Sequence, residues 1–181
     1  MSHVLEPLSP PYPPAIADIL SRYPKGEDDY LLSLFRVFAN SERFLKDKGV
    51  ANLLDAQSPL TIRQREIIIL RVTANTKCEY EWGVHVSIFS RAAGLSEDEV
   101  RSTLAADPGD SWNAEERLLI RVVDDLCEYA CIQPAQLGQF QASFSKEAQL
   151  DIMSLVGHYH LISYVANSTG LPPEPMAARF S

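Results

Sequence analysis

Three helix-start signals recur along this chain: Thr61 with Gln64, Ser96 with Glu99, and Asn113 with Glu116. In each, the polar side chain accepts from the backbone N–H three residues on, and that residue's side chain reaches back to the first N–H. Two of the four orphan donors at a helix start are thereby satisfied locally, before any tertiary contact forms. Apolar residues at threes and fours follow the first and third, in "IRQREIIILRVTANTK" and "AEERLLIRVVDDLCEYAC". Around the second, Leu95 and Val100 are placed to close a hydrophobic staple.

The remaining segments read the same way. "PPAIADILSRY" predicts a short helix and "DDYLLSLFRVFANSERFLKDKG" a longer one. "EYEWGVHVSIFSRAAG" predicts another, with Gly94 as a left-handed stop. A short helix follows Pro134, and Ser145 opens the last, stopped by Gly170 and Pro172-Pro173. "EIIILRV" has the composition of a strand, but its cap and flanks favour a helix. No alternating β-branched run with a hairpin turn appears. The expectation is one all-α domain over residues 1–181. Its first fourteen residues hold five of the twelve prolines and form an extended arm.

A chain of 181 residues is long enough for one well-buried core and too short for two comfortable domains. Its net charge of −8 argues against a nucleic-acid or anionic-membrane surface. The start, "MSHVLEPLSPPYPP", shows no basic region followed by an apolar run, so no signal peptide is expected. No stretch approaches a membrane span of ~18 apolar residues. Three cysteines, an odd number at low density, suit a reducing compartment, and cytoplasm is the expectation. The last helix is apolar around its circumference, with Ile152, Met153, Leu155, Val156, Tyr159, Leu161, Ile162, Tyr164 and Val165. Such a helix needs more than one partner, and a second copy of the chain is the natural one.

Chemistry concentrates in "KCEYEWGVHV", residues 77–86. On a helix, Cys78, Glu81, Trp82, Ile88, Phe89 and Ala92 share the face of His85. Cys78 falls near the helix N-terminus, where aligned backbone dipoles favour a thiolate. Glu81, one turn before His85, is placed to fix its tautomer and stabilise an imidazolium. On the preceding helix Glu66 shares a face with Ile62, Ile69, Leu70 and Thr73. A partly desolvated carboxylate there suits proton transfer, unless it tips outward to pair with Arg63.

"REIIILRVTANTKCEYEWGVHVSIFSRAAGLSEDEV" resembles the core of the carboxymuconolactone decarboxylase and alkylhydroperoxidase D superfamily. The shared pattern is a glutamate, a cysteine twelve residues on and a histidine seven beyond, here Glu66, Cys78 and His85. The likeness is most specific over residues 60–105. It implies an alkylhydroperoxidase D-like all-α bundle assembled as a dimer, trimer or hexamer. The peroxidase members carry Cys-x-x-Cys, whereas this chain has Glu81 at the second position.

Three functions stay open. One is a cofactor-independent decarboxylase-like enzyme acting on a small cyclic or carbonyl-containing organic acid, through Glu66, His85, Glu81 and Cys78. In it Tyr80, Trp82 and Phe89 would line the substrate pocket. Another is a thiol peroxidase in which Cys78 attacks a hydroperoxide, with Cys127 or Cys131 as distant replacements for the missing thiol. The third is a non-catalytic, oligomeric small-molecule-binding protein. No cofactor or metal is expected. A zinc site from Glu66, Glu81, His85 and His160 is the metal alternative, and His158 and His160, two apart on a helix, point about 200° apart. Cys127 and Cys131 read most simply as small buried hydrophobes, and Asn167-Ser-Thr as a glycosylation sequon without a secretory context.

Overall fold

A computed structural model describes residues 6–40, 42, 45 and 58–181. Among them every regular element is helical. The helices are α1 (Pro14–Leu20), α2 (Ser33–Phe38), α3 (Ile62–Asn75), α4 (Glu79–Phe89), α5 (Glu97–Ser102), α6 (Ala114–Tyr129), α7 (Pro134–Ser143) and α8 (Lys146–Ser168). All three capping boxes close as expected, at the heads of α3, α5 and α6. Ser145 caps α8 by accepting from the Ala148 N–H. Gly94 takes the left-handed conformation expected of it, and Gly170, the expected stop of α8, is left-handed as well.

The strand-like composition of "EIIILRV" has a tertiary explanation. α3 lies at the centre, packed against α4, α6 and α8. Every residue from Arg65 to Ala74 is buried, so the helix has no solvent face to impose a period. α6 supplies one wall through Leu118, Leu119, Val122 and Val123. α8 supplies another through Ile152, Val156, Tyr159, Ile162 and Ala166, residues three or four apart. Its other face leaves Leu150, Met153 and Tyr164 exposed.

The single long helix expected over 28–49 is not formed. A 3-10 turn occupies Glu27–Asp29, with Asp28 and Asp29 both left-handed. α2 begins only at Ser33 and is capped by Ala39. Most of the expected helix beyond Asn40 lies outside the described residues. At the start of α2 stands Glu174, a buried carboxylate that accepts from the Ser33 N–H at 2.7 Å and the Tyr30 hydroxyl at 2.5 Å. It meets α2 at its N-terminus, where backbone donors are free, and a helix continuing from Asp28 would have used that amide internally. Of the expected arm, residues 6–13 form no helix and dock against α2: the Leu8 N–H donates to the Arg36 carbonyl, and the Asn40 side chain donates to the Glu6 carbonyl.

Candidate functional site

Glu66 projects from the middle of α3, and Glu81 and His85 from successive turns of α4. The packing of these two helices brings the three side chains together. His85 Nδ1 lies 2.9 Å from Glu66 Oε2, and Nε2 lies 3.4 Å from Glu81 Oε1. The Tyr159 hydroxyl from α8 stands 3.0 Å from the same Nε2. Phe89 tilts against the imidazole with ring centroids 5.1 Å apart, and Tyr159 meets it edge-on.

All three ionisable side chains are buried, which fixes the balance of forces on the ring. Burial pushes the imidazole toward its neutral form. The Glu66 and Glu81 carboxylates act against that and win, raising the His85 pKa to about 10. At neutral pH the ring is an imidazolium, with Nδ1–H donating to Glu66 and Nε2–H facing the Tyr159 oxygen and Glu81. Burial, followed by the nearby Glu81 and Glu66 charges, holds the Tyr159 phenol well above its ordinary value. Among the described residues, Glu81 Oε2 is buried with no hydrogen-bond partner. A carboxylate oxygen left bare inside a protein is costly and calls for an explanation.

Ile62, expected beside Glu66, is 58 % exposed and belongs to the surface. Glu66 does not tip outward to Arg63, which is occupied by Glu99 and Glu116. Cys78 sits at the N-cap of α4 as expected, but the predicted thiolate is overturned. The thiol is 0 % exposed, and burial pushes its pKa up to about 11 despite the Glu81 amide and the Ser163 hydroxyl. Desolvation of the charged sulfur outweighs the helix terminus.

Tyr80 and Trp82 do not share the cluster's hydrogen bonds. The Tyr80 hydroxyl donates to Glu174, and the Trp82 indole donates to Thr103 Oγ1 at 3.0 Å. Their polar ends are therefore committed elsewhere in the core, while Phe89, the third expected pocket residue, stacks its ring against His85. Cys127 packs partly buried against the core, whereas Cys131 is exposed, because α6 ends at the left-handed Ala130 just before it. The zinc alternative is not assembled: His160 Nδ1 turns back to the Val156 carbonyl, and no group of three ligating side chains among the described residues is arranged for a metal ion. Tyr159, in the middle of "HYH", is the site residue that sequence reasoning assigned only to packing. Its hydroxyl reaches His85 across 74 positions of chain, and no local signal announces that.

The architecture places the protein among alkylhydroperoxidase D-like all-α folds. It superposes on an uncharacterised peroxidase-related protein from Silicibacter sp. TM1040 with a TM-score of 0.80 at 16% identity, covering 99% of this chain and 98% of that one. The alkylhydroperoxidase AhpD core of a peroxidase-related protein from Ralstonia eutropha JMP134 gives 0.73 at 16% identity, over 96% and 95%. A protein of unknown function from Agrobacterium tumefaciens, described as a candidate AhpD of antioxidant defence, gives 0.60 at 24% identity, over 65% and 81%. Residues 48–125 match the model of the carboxymuconolactone decarboxylase family, while the likeness to the solved structures is one of fold. No curated protein matches it.

Proposed function

We propose that this protein is a cofactor-independent acid–base enzyme that decarboxylates, or carries out a related lyase step on, a small cyclic or carbonyl-containing organic acid. The observation that supports this reading is a buried imidazole held between two carboxylates, one of which keeps an unpartnered oxygen. His85 is the acid. As the bond to the departing carboxylate breaks, its electron pair moves onto the substrate carbonyl, and the Nε2 proton neutralises the developing oxyanion. Glu66 orients the ring and stabilises its charge. Glu81 Oε2 is the oxygen free to accept a proton where the step requires a base.

The names of the structural neighbours favour peroxide chemistry as the second reading. The site does not: its thiol is fully buried and held protonated, and the second position of the two-thiol motif is Glu81. The exposed Leu150, Met153 and Tyr164 of α8 support the further expectation that a second copy covers this face, which sedimentation velocity tests directly.

The activity test measures CO₂ release from a panel of small β-keto acids and enol-lactone carboxylates, beside peroxide consumption with a dithiol reductant. The expected result is CO₂ release that His85→Gln abolishes and Cys78→Ser largely preserves. Sustained peroxide consumption that disappears in Cys78→Ser would replace this reading with the peroxidase one.

A further inference from the structure

The face of α4 opposite the site is occupied by another part of the chain. Residues 79, 83 and 87 form one stripe at i, i+4 and i+8, about 200° around the helix from 81 and 85. The segment 174–180 runs along that stripe. Ala178 N donates to the Gly83 carbonyl at 3.2 Å and to Ser87 Oγ at 2.9 Å. Phe180 N donates to Glu79 Oε1 at 2.9 Å, and the Arg179 guanidinium reaches the same carboxylate.

Two aromatic residues flank the stripe and hold the segment from either side. The Phe180 ring meets Trp82 edge-on with centroids 5.3 Å apart. On the other flank, Tyr80 donates to Glu174, which also receives the Ser33 amide and the Tyr30 hydroxyl. A buried carboxylate with three donors ties the start of the segment to α2 and α4 together.

The closest approach is at Gly83. A Cβ placed there would fall inside contact distance of the Ala178 carbonyl oxygen, and 3.2 Å from the Ala177 side chain. Only glycine lets the two backbones come this near. α4 also carries Glu81 and His85, and its seating sets how far the imidazole stands from Glu66 on α3.

We propose that the segment 174–180 is a positioning strap for the site, holding α4 in the register that places His85 against Glu66. Gly83, Glu174 and Phe180 are its anchors, and none of them touches the reacting groups. Tyr80 and Trp82, expected from sequence to line a pocket, act instead as its side walls. The strap deepens the acid–base reading of this site, and its test uses no turnover, so the failure of either is recognised separately.

The experiment compares wild type with Gly83→Ala and Phe180→Ala by amide hydrogen exchange and by NMR titration of the His85 ring. In Gly83→Ala the amides of Ala178 and Phe180 are expected to exchange more than tenfold faster, while those in the middle of α3 and α6 keep their protection. The His85 midpoint is expected to fall from its wild-type value as the distance to Glu66 loosens. Phe180→Ala should give smaller changes in the same directions, and it decides the matter if the glycine variant does not fold. Release of the strap with an unmoved His85 midpoint would overturn the proposal, as would unchanged exchange of the strap in both variants.

Discussion

Two charged clusters stand one turn apart on α3, and they differ in what they leave unsatisfied. Around Arg63, the guanidinium binds Glu99 and Glu116 and donates to the Gly94 carbonyl at 2.7 Å. Those glutamates are the third-position residues of the capping boxes of α5 and α6. Each carboxylate therefore serves a helix start and an arginine at once, and no titratable proton lies between them at neutral pH. Around Glu66 the cation is an imidazole, which can release its proton, and one carboxylate oxygen has no partner. A cluster that closes all its hydrogen bonds with a permanent cation holds structure. A cluster that keeps a movable proton and a bare acceptor is equipped for chemistry.

The sharpest way to break this contrast is turnover. Once a substrate is in hand, Glu66→Gln and His85→Gln should each reduce kcat by roughly 10²–10⁴-fold. Their combined loss should be far smaller than the product of the single losses, because the pair acts as one unit. Arg63→Ala should keep the kcat of its folded fraction. A kinetic double-mutant cycle with circular dichroism as control checks all three, and full activity in His85→Gln would place the chemistry elsewhere.

Stability should reverse the ranking. Arg63→Ala leaves two part-buried carboxylates without their shared cation and loosens the heads of two helices, at a cost of about 2–3 kcal/mol in urea unfolding. It should leave the His85 titration unmoved. A cost below about 0.5 kcal/mol would show that the capping boxes stand without the arginine.

The alkaline limb of stability sharpens the comparison further. The folded His85 pKa of about 10 lies above its ordinary value of 6.5, so folding favours the protonated ring. Its contribution is full below about pH 6.5 and vanishes as the pH rises toward 10. Wild type should therefore lose stability across that window more steeply than His85→Gln. The buried Cys78, Tyr80 and Tyr159 protons add alkaline losses of their own, so the comparison is read below the ordinary thiol value of 9.0, where the imidazole is the group that distinguishes the two proteins. Parallel curves would contradict the charged His85.

The smallest effect is expected from Tyr159→Phe, which removes the oxygen facing Nε2 and keeps the ring packing. The His85 midpoint should move down by less than about one pH unit, with little change in unfolding free energy. A larger shift would make the tyrosine, rather than the glutamates, the main partner of the imidazolium.

Much of the fold was legible because helix starts are local. Thr61, Ser96, Asn113 and Ser145 each satisfy an amide three residues away, so four residues of sequence suffice to place them. The same locality makes Glu81 and His85, one turn apart, legible as a pair. Distant partners were not visible in this way. Nothing near Ser33 reveals that Glu174, 141 positions on, accepts from its amide at the start of α2. Nothing near Tyr80 or Trp82 reveals that their polar groups turn to Glu174 and Thr103.

Cys78 shows the limit most plainly. Sequence by itself determined its place at the start of α4, together with the all-helical class, the capped helix starts and the Glu66–Cys78–His85 spacing. Tertiary structure alone decided that the sulfur is sealed from solvent, that Tyr159 completes the surroundings of His85, and that a distant segment braces the back of the helix. The physical reason is range. Capping and helical periodicity act over three or four residues, whereas desolvation and hydrogen bonding between helices depend on which segments the whole core brings into contact.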